Sequence, residues 1–223
     1  MIIRIPGLLN ADELQTVCKI LATGQFVDGK LSAGKEARRV KNNEELSPKS
    51  VVLEQLNNLV MGTLVRNPTY QSAGLPVRVA APYYVRYSVG MSYGEHVDDP
   101  VMGLEDRYRS DLAITIFLNS PDSYDGGELL IRTSMGTQEV KFAAGDGVLY
   151  PASSLHQVRE VKKGERLVAV TWAQSLVRDP ARRELLFELS QARDHLLETA
   201  PGANATALIS KSYVNLLRMW SEV

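Results

Sequence analysis

The sequence has one cysteine and three histidines among 223 residues, and this scarcity limits the chemistry that it can support. Cys18 has no partner for an intrachain disulfide, which fits a reducing compartment. A metal site that uses imidazole can draw only on His96, His156 and His195. No uncharged apolar run approaches the roughly 20 residues that span a bilayer, and the first residues lack the pattern of a signal peptide. We therefore predict a cytoplasmic protein without membrane contact.

Charge of either sign is not in excess. Lysine and arginine number 25 against 26 aspartate and glutamate residues, so the formal net charge is −1. The sequence lacks the basic patch that would predict a nucleic-acid partner. It also lacks a dinucleotide-binding fingerprint, a phosphate-binding P-loop and an internal repeat. The hydrophobic fraction of 44% and the charged fraction of 23% indicate a globular protein that can bury a substantial core.

Helical patterns occupy the first third of the chain. Asn10 and Glu13 resemble a capping box and predict a helix through about Ala22. A second helix is predicted from Ser47-Pro48 to the break at Asn67-Pro68. The glycine-rich and charged residues 23–47 between them predict an exposed, mobile loop.

Two further helices are predicted after residue 177, the first beginning at Asp179-Pro180 and the second following Pro201-Gly202. Their apolar residues share one spacing: Leu185, Leu189, Ala192 and Leu196 in the first, and Ile209, Tyr213, Leu216 and Trp220 in the second. Each stripe can bury one face against the other stripe, the rest of the chain or a second subunit. A homodimer through these helices is therefore a hypothesis. His195 lies on the polar side of its helix and is predicted to be a surface residue.

Short β-rich runs separated by turn signals fill the middle of the chain. They lie near residues 77–88, 96–98, 111–119, 128–134, 137–143, 147–151, 156–161 and 165–175. Many short strands at this spacing predict an antiparallel sandwich or barrel. The predicted division is an amino-terminal helical support region (1–76), a β-core (77–177) and a helical extension (178–223).

Two histidines and one carboxylate fall at positions that could bind a metal ion. His96 and Asp98 are at i and i+2, so on extended backbone they point to the same face. His156 could complete a facial triad that leaves other coordination positions open. An HxD pattern alone is weak, because a short extended stretch can contain it by chance.

Arg166 follows His156 across a turn, and a hairpin of 156–161 with 165–175 would direct both side chains into one cavity. An arginine inside an apolar interior is costly unless it meets an anion. The carboxylate of a cosubstrate and a structural aspartate or glutamate are equally good candidates from spacing alone.

The order Tyr87, His96-Val97-Asp98, Gly126-Gly127-Glu128-Leu129, His156 and Arg166 resembles the Fe(II)- and 2-oxoglutarate-dependent dioxygenases of the prolyl 4-hydroxylase type. Among these enzymes the chain is most similar to the bacterial PKHD-type hydroxylases, over most of its length. The resemblance implies a mainly β fold with flanking helices, in which a double-stranded β-helix (jelly-roll) is covered by the amino-terminal helices and followed by the carboxy-terminal extension.

The resemblance also implies roles for individual residues. His96, Asp98 and His156 would bind Fe(II), and Arg166 would pair with the distal carboxylate of 2-oxoglutarate, for which a bidentate guanidinium is well suited. Tyr87 would lie near the cosubstrate, although a core tyrosine would look the same. Leu129 and Trp172 would wall the pocket. Phe117 departs from the pattern, because some relatives have a second tyrosine there that contacts the cosubstrate.

The implied reaction consumes O2 and 2-oxoglutarate, releases succinate and CO2, and hydroxylates a protein, a peptide or a small molecule. L-ascorbate as a reductant is implied by the family and by no residue here. The loop from Asp99 to Asp111 is predicted to rim the site, where Arg107 and Arg109 could select an acidic substrate or could simply be solvated. Two alternatives stay open: a Zn²⁺ or Mn²⁺ hydrolase with the same triad and Glu95 as its base, and a non-catalytic iron- and 2-oxoglutarate-binding sensor.

Overall fold

Capping residues and apolar stripes define the helices. The computed structural model describes residues 1–103 and 105–222, so Leu104, within the predicted rim loop, lies outside the described residues. The helices of the described chain are α1 Ala11–Leu21, α2 Leu53–Arg66, α3 Pro68–Gly74, α4 Pro180–Thr199 and α5 Asn204–Trp220. None of these helices combines the length and the apolar character that crossing a bilayer requires. The capping box predicted at α1 is confirmed, since Asn10 Oδ1 accepts from the N–H of Glu13 and Glu13 Oε2 accepts from the N–H of Asn10.

The second helix begins later than predicted. Residues 47–52 form successive turns, in which the N–H of Ser50 donates to Ser47 O at 2.9 Å and the N–H of Leu53 donates to Ser50 O at 3.2 Å. The break predicted at Asn67-Pro68 is confirmed, but a new helix starts there. The Asn67 side chain caps α3 by accepting from the N–H of Tyr70 at 2.9 Å.

Most of the short strands pair into two antiparallel sheets. In chain order the strands of the described residues are β1 Ile3–Ile5, β2 Phe26–Asp28, β3 Lys41–Asn42, β4 Glu44–Leu46, β5 Pro76–Val79, β6 Tyr83–Tyr87, β7 Ser92–His96, β8 Val101–Met102, β9 Tyr108–Arg109, β10 Leu112–Phe117, β11 Tyr124–Gly126, β12 Leu129–Thr133, β13 Gly136–Val140, β14 Gly147–Pro151, β15 His156–Val158, β16 Val161–Gly164 and β17 Arg166–Ser175. The larger sheet has the order β1-β14-β10-β17-β6-β4-β2 with β5 beside β17, and the smaller sheet has the order β13-β12-β15-β7-β3. Strands β8 with β9 and β11 with β16 form two separate two-stranded sheets.

Alternation along the strands of the larger sheet separates two apolar layers. On β10, Ile114 and Ile116 pack against the helices, whereas Ala113 and Phe117 face the smaller sheet. The outer layer includes buried residues of α1, α2 and α3, and the inner layer fills the space between the two sheets. The predicted mainly β fold, with a jelly-roll core and flanking helices, is confirmed.

The predicted hairpin of 156–161 with 165–175 is wrong. β15 pairs with β12 and β7 in the smaller sheet, whereas β17 pairs with β10, β6 and β5 in the larger sheet. The intervening β16 pairs with β11, and the chain turns at Gly164, whose φ is +70°. His156 and Arg166 therefore reach the same interior from opposite sheets.

The stripe predicted on α4 is also displaced. Leu185 is 55% exposed, and the buried apolar positions of α4 are Leu186 and Phe187. Helical spacing allows more than one face of the helix to be buried. In the structure Leu186 and, from the predicted stripe, Leu189 pack in the cluster with Tyr213 of α5, whereas Phe187 packs in the core between the helices and the larger sheet. Tyr213 on α5 is buried against Leu186 in one cluster, with Leu216 at its edge, as the α5 stripe predicts.

The prediction of an exposed loop at residues 23–47 is wrong where it concerns β2, β3 and β4. β3 pairs with β7 in the smaller sheet and β4 pairs with β6 in the larger sheet, so the chain crosses between the sheets at Asn43. The side chains of Lys41 and Glu45 are each 8% exposed and form a buried ion pair. Lys41 Nζ also donates to Ser32 Oγ at 3.0 Å. Polar residues at inward positions concealed these strands from a hydrophobic pattern.

This buried ion pair supports a stability test. We expect Lys41→Met to lower the free energy of unfolding by about 3–5 kcal/mol, because it leaves the Glu45 carboxylate buried without a partner. The double variant Lys41→Met/Glu45→Leu should recover most of this loss, since no charge is then left unpaired. Urea unfolding at neutral pH measures both. A single variant within about 1 kcal/mol of the wild type would show that the pair behaves as a surface ion pair.

Candidate metal and cosubstrate site

Antiparallel pairing brings two histidines face to face. His156 on β15 lies opposite His96 on β7, and their ring centroids are 4.3 Å apart. Asp98 follows β7, and its Oδ1 lies 4.0 Å from His96 Nε2 and 3.8 Å from His156 Nε2. The candidate ligand atoms of the three residues all lie within 4.8 Å of one another. The structure therefore brings together the three residues that the sequence predicts as metal ligands.

Backbone carbonyls orient both imidazole rings. His96 Nδ1 lies 2.7 Å from Gly94 O, and His156 Nδ1 lies 2.9 Å from Ser154 O. A carbonyl accepts only, so each Nδ1 carries the proton and each Nε2 presents its lone pair towards Asp98. This arrangement of outer hydrogen bonds is typical of histidines that bind metals.

Burial favours uncharged forms in this cluster. Burial, and then the neighbouring His156, lower the pKa of His96 to about 3, so its ring is neutral at pH 7. Burial raises the pKa of the Asp98 carboxyl, an effect that His156 and the indole N–H of Trp172 oppose. A divalent cation would supply the positive charge that a carboxylate at this depth lacks.

Two complementary polar atoms near the cluster are unpaired. Asp98 Oδ2 and Trp172 Nε1 are both buried, and neither has a hydrogen-bond partner among the described residues. The indole lies close enough to lower the pKa of Asp98, but the pair does not meet hydrogen-bond geometry. No hydrogen bond from a described residue therefore holds Asp98 Oδ2.

Aromatic stacking adds a second constraint on His96. The Tyr93 ring stacks on the His96 imidazole with centroids 3.7 Å apart and an interplanar angle of 16°. Lys41 Nζ lies 5.4 Å from the centroid of the same tyrosine ring. Lys41 and Tyr93 thus form part of the site, and sequence reasoning missed both. Lys41 lies in the segment that was predicted to be a loop, and Tyr93 lies between the two predicted strands 77–88 and 96–98.

Arg166 is buried without a counter-ion. It is 2% exposed, its Nε has no hydrogen-bond partner, and its guanidinium forms no ion pair with a carboxylate of the described residues. Its Cζ lies 5.1 Å from the Tyr87 ring centroid and 5.8 Å from the Phe117 ring centroid. The sequence leaves two candidate partners for Arg166, a structural carboxylate and a cosubstrate carboxylate. No aspartate or glutamate of the described residues forms an ion pair with it, so the structural partner is absent. A buried guanidinium in this position is suited to an anionic ligand.

The remaining candidates fall on the interior or the surface as follows. Tyr87 lies opposite Arg166 in the pairing of β6 with β17 and is 3% exposed. Leu129 is buried between the sheets, and Trp172 is packed at the edge of the same cluster.

His195 is exposed on α4, as predicted. Glu95 alternates with His96 along β7 and forms a surface ion pair with Arg132 at 2.7 Å, so it does not face the cluster.

Comparison with known families gives two matches along the chain. Residues 82–174 match the 2OG-Fe(II) oxygenase superfamily, and residues 180–222 match the PKHD-type hydroxylase C-terminal domain. A PKHD-type hydroxylase of Thioalkalivibrio sulfidiphilus is 49% identical to this chain over 224 residues, and the alignment covers 100% of both chains.

Solved structures show the same fold at low sequence identity. A Pseudomonas putida prolyl-4-hydroxylase superimposes with a TM-score of 0.55 and 18% identity over 78% of this chain and 92% of that chain. A Trichoplax adhaerens prolyl hydroxylase in complex with a hypoxia inducible factor peptide gives 0.56 and 16% identity, over 82% of this chain and 86% of that chain.

Arg166 packs so closely against Gly127 that a larger residue at position 127 would clash with it. A Cβ at Gly127 would lie 3.0 Å from Arg166 Cδ and 3.0 Å from Tyr124 Cε2, at a φ of +68°. At Gly90, with φ +82°, a Cβ would meet nothing within 4 Å. We expect Gly90→Ala to cost about 1–2 kcal/mol from backbone strain alone, and Gly127→Ala to cost more because it adds a steric clash. Urea unfolding compares the two, and equal losses would contradict the close approach to Arg166.

Proposed function

The chain belongs to the PKHD-type hydroxylases of the 2OG-Fe(II) oxygenase superfamily, and on that premise we propose which residues carry the dioxygenase reaction. In the proposal, His96, Asp98 and His156 bind Fe(II), Arg166 binds the distal carboxylate of 2-oxoglutarate, and Tyr87 lines the cosubstrate pocket. The observation that carries it is that one interior holds a buried set of two imidazoles and a carboxylate together with a buried arginine that has no counter-ion among the described residues.

The donor set fits this metal. Two neutral imidazoles and one carboxylate are the ligands of mononuclear non-haem iron sites with open positions. His96 Nε2 and His156 Nε2 lie 4.0 and 3.8 Å from Asp98 Oδ1, so small movements of these side chains would bring all three donors onto one ion. The unpaired Asp98 Oδ2 and the unpaired Arg166 Nε are the buried polar atoms that a bound ion and a bound dicarboxylate would satisfy.

In this proposal the protein residues bind and orient the metal and the cosubstrate, and they exclude water from the site. When bound, Fe(II) and 2-oxoglutarate supply the oxidative chemistry, in which O2 is consumed, succinate and CO2 are released, and a substrate C–H bond becomes C–OH. Arg166 fixes one end of the cosubstrate so that its other end is directed to the triad across the interior. Phe117, Leu129 and Trp172 keep the surrounding space apolar. L-ascorbate as a reductant remains part of the proposal on family resemblance alone.

The two alternative functions are less well supported. A Zn²⁺ or Mn²⁺ hydrolase needs a general base near the metal, and Glu95 faces away from the triad in its ion pair with Arg132. That function would also leave the buried charge of Arg166 without a purpose. A non-catalytic sensor is disfavoured because the chain belongs to a family of hydroxylases.

The substrate is proposed at the level of class. The Trichoplax adhaerens structure holds a peptide, and we propose for this chain a protein or peptide prolyl group, with a small molecule as the second candidate. The three-part division at residues 76 and 177, the cytoplasmic location and a homodimer through α4 and α5 stay predictions.

Cosubstrate binding tests the assignment of the ligands. Anaerobic addition of Fe(II) and 2-oxoglutarate should give a weak visible charge-transfer absorption in the wild type. We expect His96→Ala to abolish it and His195→Ala, the matched surface control, to retain it. Arg166→Ala should weaken 2-oxoglutarate binding by at least about tenfold, because one or more charge-assisted hydrogen bonds are lost. Binding by His96→Ala or Arg166→Ala as tight as by the wild type would refute the assignment.

Hydroxylation itself is measured separately. In cell lysate supplied with Fe(II), 2-oxoglutarate and air, we expect the wild type, but not His96→Ala, to produce species that gain one oxygen atom, detected by untargeted mass spectrometry. The residue that gains oxygen in peptide products identifies the substrate group. Succinate formation without any oxygenated product would contradict the proposed hydroxylase reaction.

A further inference from the structure

A second buried polar group lies beside Arg166. Tyr124 is 2% exposed, and its hydroxyl has no hydrogen-bond partner among the described residues. An unpaired buried hydroxyl costs free energy, of order 1–3 kcal/mol, and so requires an explanation. The fold offers one, because Arg166, whose Nε also lacks a partner, packs against the same glycine as Tyr124.

The two side chains meet at one glycine. The position of a Cβ at Gly127 would be 3.0 Å from both Arg166 Cδ and Tyr124 Cε2, so the stem of Arg166 and the ring of Tyr124 both pack against the same small residue. The charge of Arg166 is near enough to oppose the rise that burial causes in the pKa of Tyr124. A donor-rich cation and a hydroxyl without a partner thus border the same space.

The backbone and a lysine hold the tyrosine in place. Tyr124 lies opposite Gly164 in the pairing of β11 with β16. Lys141 Nζ donates to Tyr124 O at 2.9 Å and lies 4.2 Å from the ring centroid. These contacts involve the carbonyl and the ring face and leave the hydroxyl free. The ring therefore has a fixed position and a hydroxyl that is available to a ligand.

We propose that Tyr124 is a binding residue for the distal carboxylate of 2-oxoglutarate, to which its hydroxyl donates alongside the Arg166 guanidinium. This inference rests on the proposed function. It also explains how the site can lack a hydroxyl at Phe117, whose ring lies beside Arg166. In this chain the hydroxyl comes from a residue after β10, on the short strand β11, instead of from β10 itself. A carboxylate has lone pairs for both donors, so one ligand would satisfy two unpaired groups.

The test compares two ligands and two variants. 2-Oxopentanoate has the same 2-oxo acid end as 2-oxoglutarate and a methyl group in place of the distal carboxylate. The variants are Tyr124→Phe and the control Tyr70→Phe, which also removes a buried hydroxyl without a partner, but from the core between the helices and the larger sheet. Affinities are measured by anaerobic calorimetry on the Fe(II)-loaded protein, and urea unfolding checks that each variant is folded.

Tyr124→Phe should weaken 2-oxoglutarate binding by about tenfold or more, the loss of one hydrogen bond to a charged group. It should leave the affinity for 2-oxopentanoate unchanged, and Tyr70→Phe should change neither affinity. Equal weakening of both ligands by Tyr124→Phe would mean a general disturbance and would overturn the inference. Wild-type affinity for 2-oxoglutarate in Tyr124→Phe, combined with a loss in Arg166→Ala, would overturn it and leave the proposed function standing. Failure of the wild type to bind 2-oxoglutarate would overturn both.

Discussion

The antiparallel pairing of His96 with His156 is the constraint on which the site depends. Side chains alternate along a strand, so a shift of β7 against β15 by one residue would turn His96 to the outer face and Glu95 to the inner one. Register is therefore as important to the metal site as the identity of its ligands. The carbonyls of Gly94 and Ser154, each two residues before a histidine, belong to the same backbone and fix the rings once the strands are paired.

The interior of the jelly-roll carries polar groups that the protein itself does not satisfy. Arg166, Tyr124 and Asp98 each have a buried side-chain atom without a partner among the described residues. Their burial lowers the stability of the free protein, and a ligand that pairs with them returns part of that free energy on binding. The unpaired groups thus favour tight binding of a ligand and also fix its orientation.

Much of this arrangement can be predicted from the residues, and the failures have identifiable causes. The triad, Arg166 and most strands of the β-core follow from alternation, turn residues and the motif order. The wrong hairpin after His156 arose because a turn signal cannot reveal that the next strand joins the other sheet. Residues 41–46 were missed because Lys41, Asn43 and Glu45 occupy the inward positions that apolar residues normally mark. Tyr124 carried no sequence signal, since only the packing around Gly127 brings it to Arg166.

The crossing of residues 41–46 between the two sheets also affects the order in which the chain folds. Lys41 pairs with Tyr93, and Ile3 at the amino terminus pairs with Leu149, so the earliest strands must wait for partners that are synthesised much later. Contacts so distant in sequence are formed slowly, and an unpaired strand is prone to aggregation during that interval. The charges of Lys41 and Glu45, which require pairing in the finished interior, keep this segment hydrated while it waits on the growing chain.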